Sequence, residues 1–423
     1  MDIEKKTLIF KICTAKSTAE SYALYKLNRD YLKDCKFIFS SERGNSPGFS
    51  INRDFSDGSV IRGLFSSSKI VVLDNDTVKS MDGGNAIFQI DYSISLDTQA
   101  LSYLEPFIDG RVSKIPDDFR EVFSFIARDE VSVDPMPYML ENLVNLSDQK
   151  SANRIFQKIK AYEILRSLDS SCLESDGEIK SVFPECELLK KAQENISMMY
   201  QMFDDKAFMD GVMFGFYAMY WHLLTMIEIQ LSNPKLSVQQ KLYKFIKLCH
   251  WELSTLSLRE IAIARVYFEK GQNLTFFGKI QIGQKKLFKV MEGMAWDLFH
   301  VRQLEKALTM RPLPTARYFF PAFLTCDKRL VEIIDIYPLK SCAYIEGENE
   351  PMPYYDGDFL ELMSSDEGEQ RKLCDEFFTE GAVISRAERR DDSKRAIKKI
   401  IERLEHKVSS ISGAKNNSSL CVS

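Results

Sequence analysis

Histidine, tryptophan and closely spaced cysteine are what this chain does largely without. Four histidines in 423 residues (His222, His250, His300, His406) are too few and too dispersed for a zinc cluster. The nine cysteines (Cys13, Cys35, Cys172, Cys186, Cys249, Cys326, Cys342, Cys374, Cys421) are odd in number and form no Cys-x-x-Cys pair. A disulfide framework needs short, even spacings in a small secreted chain, so reduced and mostly buried thiols are expected. A basic excess is lacking too: 56 Lys and Arg stand against 61 Asp and Glu, a net charge of −5. No overall field draws in a polyanion, and a nucleic-acid partner would have to be met by a local patch or a bound cation. The opening MDIEKKTLIFKICTAKS has no apolar run of signal-peptide length, which makes the cytoplasm the expected location.

Long apolar runs are also short. Residues 211–227 (GVMFGFYAMYWHLLTMI) carry no formal charge and include a Gly-x-x-x-Gly at Gly211 and Gly215. The run falls below the ~20 residues a membrane span needs, contains His222, and is bracketed by Asp210 and Glu228. Gly-x-x-x-Gly means little outside a convincing span. The expectation is a central helix buried all round.

What is present is ordinary globular composition, 45% apolar and 28% charged, and length enough for two or three units of ~100–200 residues. Residues 1–85 read as a mixed α/β region: strands at 7–13, 36–40 and 69–73 (KIVVL), with a helix at 18–32. Residues 81–85 (MDGGN) break the chain, and 86–96 (AIFQIDYSISL) form a strand that runs into Asp97 and a helix. Proline-initiated helices follow near 117–127 and 135–146. Residues 151–284 carry apolar positions at three- and four-residue spacing, an all-α insertion. A helix over 285–308, a loop over 310–315, a strand over 319–324 (FFPAFL) and another at Tyr344–Ile345 lead to a charged extension, 351–423. Its helix over 386–407 mixes Lys and Arg with Asp391, Asp392, Glu402 and Glu405, and is expected to be solvated or to meet a partner.

Four acidic residues stand in unusual settings. Asp97 follows a strand and opens a helix (ISLDTQALSYL), and Glu141 lies on the helix PYMLENLVN. Asp297 sits early in AWDLFHVRQLEKAL, and Asp327 ends the strand FFPAFLTCD. Carboxylates at the carboxyl ends of strands in an open α/β sheet line the crevice where such folds bind ligands. Clustered there, they raise one another's pKa, and a divalent cation resolves the conflict. An all-oxygen set suits Mg²⁺ or Mn²⁺. Asp74 and Asp76, which follow KIVVL, are a second candidate for the first acidic ligand. Each residue also has a plain structural role open to it: Asp97 and Asp297 as helix N-terminal acids, Glu141 as a surface glutamate.

The ISLDTQAL segment resembles the first motif of PIN-domain ribonucleases, in which a strand ends in Asp-Thr-Asn or a close variant; Gln99 stands in the asparagine position. PYMLEN is similar to the family's helix-borne glutamate, and AWDLFHVRQLEKAL followed by FLTCDKRL resembles its third and fourth motifs, in the same order. The resemblance covers two blocks, 86–146 and 285–344. It implies a PIN-like parallel sheet flanked by helices, assembled from 86–150 and 285–350 around the insertion. It further implies metal-assisted hydrolysis of RNA, with DNA left open, through Mg²⁺ or Mn²⁺ held by Asp97, Glu141, Asp297 and Asp327, leaving 5′-phosphate and 3′-hydroxyl ends. Thr98 and Thr325 would orient a carboxylate or bound water, and Lys328 and Arg329 would contact the phosphate backbone. A toxin or host-defence role, restrained by a regulatory partner or by self-association through the insertion, is implied by analogy. The competing expectation is a non-catalytic interaction protein with a degenerate nuclease-like core.

Overall fold

Segments rich in β-branched and aromatic residues become the strands of two sheets, and the segments with three- and four-residue apolar spacing become helices. The chain is mixed α/β. The computed structural model describes residues 3–45, 52–82, 90–169, 178–281, 283–311 and 316–414. The breaker at Gly83-Gly84-Asn85, most of the 310–315 loop, Cys172 and Cys421 lie outside them.

The chain divides into two units, the first comprising residues 1–209, 301–331 and 338–356, and the second the remainder. The first opens with helices α1 (Ile3–Cys13) and α2 (Thr18–Leu27). Residues 7–13 are therefore helical and not the expected strand. Their apolar run suits either period, but Ile9, Ile12 and Cys13, at helical spacing, are the residues buried. Then come β1 (Cys35–Asn45), β2 (Arg53–Asp54), β3 (Val60–Gly63), β4 (Ile70–Leu73) and α3 (Asn75–Asp82). β5 (Ile90–Leu96) leads into α4 (Thr98–Ile108) and α5 (Phe119–Ile126), then β6 (Val133–Asp134), α6 (Met136–Asn142) and α7 (Gln149–Arg166). The late segments supply β7 (Tyr318–Thr325), β8 (Leu339–Ile345) and β9 (Met352–Tyr355).

One sheet is antiparallel in the order β4-β1-β8-β9, with α1 and α2 burying Ile9, Ile12 and Tyr25 among Phe37, Phe39 and Ala343. The other, β2-β3-β7-β5-β6, is mixed: β3 runs antiparallel to β7, while β7, β5 and β6 are parallel. Every residue of β7 is buried, as expected of a central strand covered on both faces.

This division does not follow composition. Residues 1–85 are not a separate region, because β3 pairs with β7. The helices of 149–204 belong to the first unit, where α7 packs on α4, and not with the later helices of the expected insertion.

The second unit is helical. Its longest apolar helix, Lys206–Ser232, is long and apolar enough to cross a membrane, yet 72% of its apolar window is buried inside the protein. Phe216 stacks on Trp296 at 4.5 Å, and Tyr220 donates to the buried Glu405 (2.7 Å). All three tryptophans lie in this unit. The basic C-terminal segment is one helix, Glu380–Ser412, whose buried stripe of Ile397, Ile401, Leu404 and Val408 repeats at four, three and four residues.

Candidate active site

Register places the first two acids. β5 and β7 pair in parallel with Leu96 beside Leu324, so the residues that follow, Asp97 and Thr325, leave the sheet side by side. The Asp97 amide donates to the Leu324 carbonyl (3.0 Å), carrying the ladder one residue past the strand. The Asp97 carboxylate accepts from the Ala100 amide and so caps α4; the Thr325 hydroxyl and the Cys326 amide also donate to it. Thr325 is fully buried. Its oxygen accepts from the Asp327 amide (3.1 Å), and Asp327 Oδ1 in turn accepts from the Arg329 amide (3.0 Å) at the start of the helix Lys328–Ile334.

Glu141 arrives from α6. Thr98, the residue after Asp97, donates its hydroxyl to Glu141 Oε2 (2.5 Å), which ties that glutamate to the strand end. Lys328 is exposed and pairs with Asp57 at 2.9 Å, a surface contact worth ~0–1 kcal/mol. Arg329 is exposed beside it. The structure thus brings together Asp97, Thr98, Glu141, Thr325 and Asp327. Asp297 belongs to the second unit, where its Oδ2 lies 4.0 Å from the Lys279 ammonium.

Burial dominates the electrostatics. It pushes the Asp97 carboxyl up to about 6; Thr325 and the two amides pull it down, and the nearby charge of Asp327 pushes it further up. Beneath it on the same face of β5, Ser93 and Ser95 donate to Asp134, a carboxyl that burial likewise raises. The donors named around Asp97 are all neutral, so its negative charge is supported by dipoles alone. A cation beside it would offset that cost.

Three neighbours were not singled out from sequence. Tyr103, from α4, lies within the electrostatic reach of Asp97 and Asp327. Asp118 is buried and accepts from the Ser59 amide (2.8 Å), the Ser59 hydroxyl (2.7 Å) and the Asp57 amide (3.0 Å), so it fixes the β2–β3 turn. Gly58 in that turn has φ 89°, and a Cβ there would overlap the Lys328 stem. The one available signal was the acid-rich entry to α5. The second candidate, Asp74, is a structural residue: although burial works to raise it, donation from the Thr77 amide (2.6 Å), Arg317 and the Tyr318 hydroxyl (2.8 Å) holds it below the ordinary carboxylate range.

Among the described residues no group of three or more His, Cys, Asp or Glu side chains is gathered closely enough to hold a metal. Mg²⁺ is commonly bound through one or two carboxylates, with substrate phosphate and water completing its shell.

Asp97 carries a pH signature. Its folded value, about 6, exceeds the ordinary 3.8, so between those values the folded chain holds a proton that the unfolded chain has released. Stability contributed by this group is full below pH ~4 and is lost as pH rises to ~6, a swing of about 3 kcal/mol. In metal-free buffer, Asp97→Asn should shrink the difference in unfolding free energy between pH 4 and pH 8 by about that amount. Urea titrations followed by circular dichroism measure it; an unchanged difference refutes the buried charge.

The chain matches no family model, no curated protein and no solved structure.

Proposed function

We propose that the carboxyl ends of β5 and β7 form a PIN-like active site that hydrolyses RNA phosphodiester bonds with the help of Mg²⁺ or Mn²⁺. The observation that carries this reading is the side-by-side exit of Asp97 and Thr325 from paired parallel strands, with Asp327, two residues on, within electrostatic reach of the buried Asp97 carboxylate.

Asp97 and Asp327 would hold the cation, with Glu141 positioned by Thr98 to accept a proton or bind a further water. When bound, the cation supplies Lewis acidity toward the phosphoryl oxygens and lowers the pKa of a water. The Thr325 hydroxyl, with the Ala100 and Cys326 amides, orients the Asp97 carboxylate. Asp97 must be ionised to serve, a state that a bound cation favours. Lys328 and Arg329, exposed at the following helix, supply sequence-tolerant contacts to the phosphate backbone. RNA is the proposed substrate class, and an enzyme of this kind in the cytoplasm calls for a restraining partner.

A second reading, a non-catalytic interaction protein, is favoured by one observation: Asp97 and Asp327 each already serve a helix N-terminus. Incubating the purified protein with total RNA in Mn²⁺ and in EDTA separates the two. Cleavage confined to Mn²⁺ is the expected result; intact RNA in both leaves the second reading standing.

A further inference from the structure

At the far end of β7 from Asp327, the first unit holds a polar cavity of about 270 Å³. It opens where β1 begins, where β4 ends and where the chain enters β7. Lys36, on β1, is only 5% exposed and lines it. Its ammonium donates to the Arg317 carbonyl (3.0 Å) and lies 5.1 Å over the face of Tyr318. A lysine this deeply buried ordinarily has a carboxylate partner.

Here the carboxylates are already taken. Asp74 is bound by Arg317 and Glu346 by Arg311 (2.5 Å), while Asp76 lies 3.7 Å from Lys79. Lys33 and Lys36 have no carboxylate within 4.0 Å among the described residues, and Arg29 spends its guanidinium on Asn75 of the cavity wall (2.8 and 3.0 Å). Burial, with Arg311 and Arg317 close by, holds the Lys36 ammonium below its ordinary value despite Glu346 and Asp74. The cavity therefore has a net surplus of positive charge, donors already oriented, and room for one or two tetrahedral anions, less than the 300 Å³ and upward typical of drug-sized ligands.

We propose that this cavity binds the phosphate or pyrophosphate group of a small molecule, seated between Lys36, Lys33 and Arg311. A full strand of eight residues, roughly 25 Å at ~3.3 Å each, separates it from Asp327. The ligand therefore does not occupy the proposed active site, and this inference is independent of the nuclease reading.

Isothermal titration of the full-length protein with inorganic phosphate, pyrophosphate and ADP tests it. One saturable site is expected, competed between pyrophosphate and ADP, with affinity falling as salt rises. Lys36→Met, which keeps the buried stem, should weaken binding at least about tenfold, as loss of a hydrogen bond from a charged group does. Lys33→Ala and Arg311→Ala, both at exposed positions, should each weaken it about threefold and keep the test open if Lys36→Met does not fold. Asp327→Asn should bind like the unaltered chain. The absence of a saturable site for any of the three probes, or affinities untouched by all three cavity substitutions, overturns the assignment.

Discussion

Asp327→Asn should leave the protein folded and slow Mn²⁺-dependent RNA cleavage by at least about a hundredfold, close to 2.7 kcal/mol of lost transition-state stabilisation. The substitution is chosen for what it preserves. An asparagine oxygen still accepts from the Arg329 amide, the contact that starts the helix Lys328–Ile334. What disappears is one of two negative charges available to the cation. The side chain is part-exposed. Initial rates on end-labelled RNA, with thermal melts alongside, give the comparison. A rate equal to that of the unaltered protein removes Asp327 from the chemistry, whatever else the chain does.

Trp221→Ala should cost about 3–5 kcal/mol, the range for truncating a large buried aromatic. Trp221 is fully buried, lies edge-on to His222, faces Phe245, and donates its indole N–H to Glu252 (3.1 Å). Truncation leaves a cavity in the helical unit. Glu252 keeps Arg403 at 2.6 Å, so the loss is mainly one of packing. Trp251 is the internal control: it is 55% exposed, with Arg389 4.4 Å above its ring. Its replacement by Ala should cost ~0.5–1 kcal/mol. Denaturant titrations followed by circular dichroism rank the two. Equal losses would mean that Trp221 does not anchor this core.

The strands at 70–73, 90–96 and 318–325 were legible because each is a dense apolar or β-branched run closed by a polar residue. The positions of Asp97 and Asp327 past the ends of β5 and β7 were legible for the same reason: each is the first carboxylate past such a run. Residues 7–13 misled because Leu8, Ile9, Phe10, Ile12 and Cys13 satisfy either period, and only the packing of Ile9, Ile12 and Cys13 on the sheet decides for a helix. β3 was invisible, since four residues beside a polar loop carry little pattern of their own and take their conformation from β7. Helical periodicity in 149–204 showed helices but not which core they serve. Asp118 looked like a first-turn acid, and its three donors come from the turn at 57–59, which no local reading supplies. Lys36 opens the short apolar run Phe37–Phe39, where nothing in the sequence showed that its charge faces a cavity.

The position of β7 fixes when the parallel sheet can exist. It lies between β3 and β5, which are made far earlier, and it must pair with both. At ~5–20 residues per second, the ribosome needs on the order of tens of seconds to travel from the end of β5 to the end of β7. Throughout that interval two strand edges stay open, a hazard for misassociation that a chaperone or early helix docking must cover. The same delay has a use: if Asp97 and Asp327 cut RNA, no nascent or truncated polypeptide that stops short of Asp327 can do so, and the messenger being translated is spared until then.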